Sequence, residues 1–132
     1  MNMFPAKTLI AVRKAEDVET VCRFLREHNQ HPRLIVAYLK LSEKGELAPL
    51  KFSNPLADSA KCEKFLEGFR FEIVGLDYEG EKFSASVFVE RAAKENCDSI
   101  IVVSDNPKQL FTLDLATTLA VVSPLPVTVI KP

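Results

Sequence analysis

With 132 residues, 47% hydrophobic and 27% charged, the chain has the size and balance of a single globular domain over residues 1–132. A domain of this length buries roughly two thirds of the surface its unfolded chain exposes, so it needs neither a disulfide nor a structural metal to fold. Lys plus Arg against Asp plus Glu is 17 against 18, with no Lys/Arg-rich block, which removes the footprint of a nucleic-acid binder.

The longest apolar runs, such as Leu34 to Leu39, fall far short of the ~20 residues that span a bilayer. Met1 to Ala6 carries neither a charged start nor the apolar stretch of a signal peptide. The expectation is a cytoplasmic protein with no direct membrane insertion.

Lys7 to Val12 reads as a first strand. It leads into Asp17 to Glu27, where Val18, Val21, Cys22 and Leu25 recur at the helical spacing i, i+3, i+4, i+7. Glu16, Asp17 and Glu19 favour the positive end of that helix, and Arg26 and His28 lie near the other end. Leu34 to Leu41 is nearly continuous in apolar residues at its start, as expected for a central parallel strand covered on both faces. Ser42 to Ala57 has no clean period and forms a long connection.

Ser59 to Glu67 reads as a short helix stopped by Gly68, a residue suited to the left-handed conformation that ends helices. Phe71 to Tyr78 is a third strand, with Gly75 marking a bulge or close packing. Ser84 caps a helix to about Glu95, ended by Asn96. Ser99 to Ser104 is a fourth strand. Asn106 and Pro107 then open a helical pattern that runs, with a break near Thr112, to Val122, and Ser123, Pro124 and Pro126 deliver a fifth strand at Val127 to Ile130. This alternation argues for an α/β architecture, a parallel sheet with helices on both faces.

Against that background two stretches resemble the universal stress protein family. One is Ala92 to Val103 (AAKENCDSIIVV), a helix end followed by a β-branched strand; the other is Leu115-Ala116 with the closing Ser123-Pro124-Leu125-Pro126-Val127-Thr128-Val129-Ile130. The resemblance implies a doubly wound five-stranded parallel sheet in the order 3-2-1-4-5, Rossmann-like and related to the adenine-nucleotide α-hydrolase-like folds. It places a crevice between the carboxyl ends of strands one and four, where strand order reverses. It also implies homodimerisation through the last strand, Val127, Thr128, Val129 and Ile130, a use that protects an exposed edge from aggregation.

ATP-binding members of the family share a G-x-x-G-x9-G-S/T motif after strand four and an aspartate after strand one. Here the first two glycine positions fall on Val103 and Asn106; counting back from Pro124-Leu125-Pro126, the final Gly-Ser falls on Leu113 and Asp114, in a loop shorter by about three residues. Gly80 is the last glycine in the chain. A Cβ on each turn residue blocks close backbone approach to a phosphate, and Asp114 opposes one by charge.

Arg13, followed by Lys14, replaces the family aspartate. The two read either as cationic donors to an anionic ligand or as loop charges paired with Glu16 or Asp17. Val12, Arg13, Lys14, Ser104 and Asn106 are therefore the candidate crevice residues; Asn106 also has a capping role that needs no ligand.

Other chemistry is thin. Cys22, Cys62 and Cys97 are odd in number, lack a C-x-x-C spacing and fit core thiols, with a redox-sensing role as the alternative. His28-x-x-His31 fits capping or solvent better than a metal, and Asp77, Glu79 and Glu81 read equally as a carboxylate cluster or as loop acids. No Ser-His-Asp, Cys-His or P-loop spacing occurs.

The expected function is a non-enzymatic, homodimeric regulatory or binding module resembling universal stress proteins. It has no metal and no cofactor, and ATP or AMP is disfavoured. The alternatives are an adenine-nucleotide binder with an altered phosphate loop and a cytoplasmic regulatory domain of a larger membrane transporter.

Overall fold

The computed structural model describes residues 6–41, 59–78, 84–104 and 115–131. In chain order the elements are β1 (Lys7–Val12), α1 (Ala15–Glu27), β2 (Arg33–Leu41), α2 (Ser59–Phe65), β3 (Phe71–Tyr78), α3 (Ser84–Lys94), β4 (Ser99–Val103), α4 (Leu115–Val122) and β5 (Val127–Ile130). The five strands form one parallel sheet in the order β3-β2-β1-β4-β5. β1 lies at the centre, and the sequence turns back across it to β4, which is where strand order reverses.

The near-continuous apolar strands are sorted by the two-residue period into two cores. Ile10 and Val12 of β1, Leu34, Val36 and Tyr38 of β2, and Ile101 and Val103 of β4 pack with Val18, Val21, Cys22 and Leu25 of α1 and with Cys62 and Leu66. The residues between them, Leu9, Ala11, Ile35, Ala37, Leu39, Ile100 and Val102, pack with Ala85, Phe88 and Ala92 of α3 and Leu115, Ala116 and Leu119 of α4. One face thus carries α1 and α2, the other α3 and α4.

Two helices end in the same way. At α1 the Gln30 N–H donates to the Leu25 carbonyl at 2.8 Å with Asn29 at φ 52°; at α3 the Cys97 N–H donates to Ala92 at 2.9 Å with Asn96 at φ 57°. This is the left-handed closure predicted at Asn96, and it recurs at Asn29, where the same residue type follows the end of α1. Gly68 follows α2 with φ 88°.

Gly75 marks close packing without a bulge. The β2–β3 register runs unbroken from Leu34↔Phe71 to Leu41↔Tyr78, and a Cβ on Gly75 would stand 2.9 Å from the Tyr38 hydroxyl and 2.5 Å from Lys40 Cε.

At the amino ends of β1 and β4 a set of polar contacts ties the strand pair together. The Lys7 N–H donates to Asp98 Oδ2 at 2.9 Å, the Asp98 N–H donates to the Lys7 carbonyl at 2.7 Å, and the buried Thr8 hydroxyl meets Ser99 Oγ at 3.0 Å. Glu95 pairs with both Lys7 (3.5 Å) and Arg91 (2.9 Å).

Candidate functional site

In open parallel α/β sheets, ligands sit beyond the carboxyl ends of the strands where strand order reverses. In this chain that place is the pair of chain segments leaving Val12 and Val103.

On the β1 side Val12 is fully buried, in the core under α1. Arg13 and Lys14 form the turn into α1, with Lys14 as the extended residue (φ −150°, ψ 161°) that precedes the helix. α1 starts at Ala15, two residues before the predicted Asp17, and this shift changes what Asp17 does. It occupies the third helical position and turns inward, only 1% exposed.

Its Oδ2 accepts the backbone N–H of Arg13 at 2.9 Å and that of Lys14 at 3.4 Å. The Arg13 guanidinium lies alongside, with Nε 3.4 Å from Oδ2 and Nη2 3.5 Å from Oδ1. Burial raises the Asp17 carboxyl above its ordinary value, outweighing the downward pull of the Arg13 N–H, the Arg13 charge and Lys14.

Of the two readings of Arg13, the structure displays the pairing with Asp17. Lys14 is exposed. Sequence reasoning placed Asp17 with the helix-dipole acids and missed its inward role; the signal available was its spacing of three residues from the last non-helical residue, the position from which a side chain reaches back to orphan N–H groups.

On the β4 side, Val103 is buried and pairs with Ile130, and the Ser104 N–H donates to the Ile130 carbonyl at 2.8 Å. The β4–β5 ladder therefore extends one residue past the strand, and the Ser104 N–H is committed to it. Ser104 itself is half-buried. Asn106, Leu113 and Asp114 lie outside the described residues, as do Glu79, Glu81 and the connection over 42–58.

The remaining sequence candidates are dispersed. His28 Nδ1 bonds the Phe24 carbonyl at 2.9 Å with its ring 4.2 Å from Phe24, while His31 stacks on Phe69 at 5.4 Å, so the two rings attend different aromatics. Among the described residues no group of three or more His, Cys, Asp or Glu is placed to hold a metal. Cys22, Cys62 and Cys97 are buried thiols, none of them in a disulfide. Burial pushes the Cys22 thiol up to about 11 and raises Cys97 as well, the opposite of an activated thiol.

At the far end of α1, the Arg26 guanidinium donates to the carbonyls of Phe65 (2.6 Å) and Glu67 (2.7 Å) and lies 5.1 Å from the Phe69 ring centroid. It thus satisfies carbonyls that α2 leaves open, beside an open groove lined by Arg26, Lys64, Phe65 and Glu67. No helix among the described residues is long and apolar enough to cross a membrane.

No protein-family model and no curated protein matches the sequence. Among solved structures, the chain is similar to a universal stress protein from Archaeoglobus fulgidus at 16% identity and a TM-score of 0.65, covering 97% of this chain and all of that one. It is similar to a universal stress protein in complex with cAMP at 14% identity and a TM-score of 0.62, covering 95% and 96%. A universal stress protein family protein from Arabidopsis thaliana with AMP bound matches at 14% identity and a TM-score of 0.61, covering 96% and 92%. The chain therefore has the universal-stress-protein fold, and both the predicted architecture and the strand order 3-2-1-4-5 agree with it.

Proposed function

We propose that this chain is a universal-stress-protein-like binding or regulatory module, non-enzymatic and cytoplasmic, whose crevice does not hold ATP through a glycine phosphate loop. The observation that carries the reading is that no glycine follows Gly80, on a fold whose nucleotide position lies beyond β1 and β4. Backbone N–H groups can cradle a phosphate only where side chains leave room, and Val103, Asn106, Leu113 and Asp114 fill the family positions. The commitment of the Ser104 N–H to Ile130 supports the same conclusion.

The module acts as a homodimer through β5. Support comes from its edge position and from Val129, 44% exposed on that strand. A second reading has a specific observation behind it: structures of this fold carry cAMP or AMP, so an adenine nucleotide held by base and ribose, with little phosphate contact, suits the same crevice.

Native mass spectrometry of the purified protein and calorimetric titration with ATP, AMP and cAMP test both. The first reading expects no stoichiometric ATP and no saturable heat with ATP. Stoichiometric co-purified ATP overturns it, and silence with AMP and cAMP removes the second.

A further inference from the structure

The β1–α1 turn holds an ion pair in an unusual place. A helix N-terminus flanked by Arg13 and Lys14 concentrates positive potential and unpaired N–H groups, the elements that attract an anion. Here the chain supplies the anion itself. The Asp17 carboxylate, nine-tenths and more buried, takes the N–H groups of Arg13 and Lys14 and draws the Arg13 guanidinium onto its own oxygens. Arg13 is also largely buried, with its side chain 13% exposed, so the pair is shielded from solvent and salt screens it less than a surface pair.

We propose that Asp17 is a specificity-determining residue: a built-in anion that holds Arg13 at the α1 N-terminus and turns phosphate-bearing ligands away from the β1 wall of the crevice. This rests on the reading above that the crevice at the ends of β1 and β4 is the ligand site. A phosphate entering at this turn would meet the Arg13 and Lys14 N–H groups already occupied by Asp17, and Arg13 would have to leave that carboxylate to reach it. Glycine loss removes the phosphate cradle from the β4 side of the crevice; Asp17 closes the β1 side by a separate means.

The test uses the full chain and inorganic pyrophosphate as the probe, followed by the amide shifts of Arg13 and Lys14 and the Arg13 Nε–H signal in proton–nitrogen NMR. D17N keeps the shape and one acceptor but removes the charge. It is expected to show saturable shifts at these positions, at least about tenfold tighter than wild type and weakening with salt, and R13Q in the D17N background is expected to lose most of the gain.

Should D17N fail to fold, D17S carries the same comparison, because serine retains an acceptor near the same N–H groups. Wild type binding pyrophosphate at Arg13 and Lys14 as tightly as the neutral variant overturns the proposal, as does a folded neutral variant that shows no shift there. AMP titration keeps the two readings apart. If AMP shifts no crevice residue of wild type while D17N gains pyrophosphate, the nucleotide reading fails and the role of Asp17 stands; if AMP binds wild type and D17N gains nothing, the reverse holds.

Discussion

The two helical layers hold the sheet by different means. The α3/α4 layer presents Ala85, Phe88, Ala92, Leu115, Ala116 and Leu119 to the sheet. The α1/α2 layer adds polar fasteners to its core, with Asp17 gripping the β1–α1 turn and Arg26 gripping the carbonyls after α2. An apolar layer loses stability through cavities, whereas a fastened layer loses it locally and in a charge-dependent way. The fasteners also stand at the two ends of α1, one of them at the carboxyl end of β1.

Breaking the apolar layer gives the largest effect. Phe88 is fully buried, and F88A is expected to destabilise by about 3–5 kcal/mol, read as a fall in the urea midpoint at unchanged slope. Overfilling the other layer costs less: G75A drives a Cβ toward the Tyr38 hydroxyl and Lys40, and with Lys40 free to swing away the expected loss is about 1–2 kcal/mol. Releasing the Arg26 fastener comes next. R26A is expected to lose about 1 kcal/mol, and hydrogen exchange should quicken in 59–67 while α3 amides keep their protection. R26K restores little, because an ammonium lacks the planar fork that reaches two carbonyls.

The Asp17 fastener gives a smaller effect with a definite sign. Its folded-state carboxyl lies above the ordinary value of 3.8, so in the pH interval between the unfolded and folded values the folded chain holds a proton that the unfolded chain has already lost. Its contribution is therefore fully present below about pH 3.8 and fades as pH rises through the folded value. Wild type should lose stability relative to D17N over that rise, measured as the difference of their melting temperatures against pH. A difference that grows in the other direction would mean that Arg13 and the backbone N–H groups outweigh desolvation at Asp17.

The smallest effect on stability belongs to the sheet edge, outside both layers. V129K, at a residue 44% exposed on β5, should change monomer stability by less than about 0.5 kcal/mol. It should abolish dimerisation in sedimentation velocity if the β5 edge is the interface. A dimer that survives the substitution rules that edge out.

Much of this architecture is legible in the chain because period and punctuation are local. KTLIAV, the Val18–Leu25 spacing, Asn96 and the Pro124–Pro126 stop each act over a few residues, and each appears in the structure as read. Boundaries at α1 shifted by two residues, since Ala15 and Glu16 carry no capping chemistry to mark the start. At the candidate site the residue types were readable and their partners were not. The sequence offered Glu16 and Asp17 equally to Arg13, and only the inward turn of the third helical position selected Asp17.

The sequence alone therefore determined the element order, the two-faced apolar strands and the absence of any glycine after Gly80, because these depend on neighbours within one or two turns of chain. The tertiary structure decided the rest. It sorted alternate strand residues into two cores, leaned Tyr38 over Gly75, spent the Ser104 N–H on Ile130 and buried Asp17 against Arg13. Each of those outcomes depends on which surface excludes water, and that is fixed only when helices and sheet close on one another.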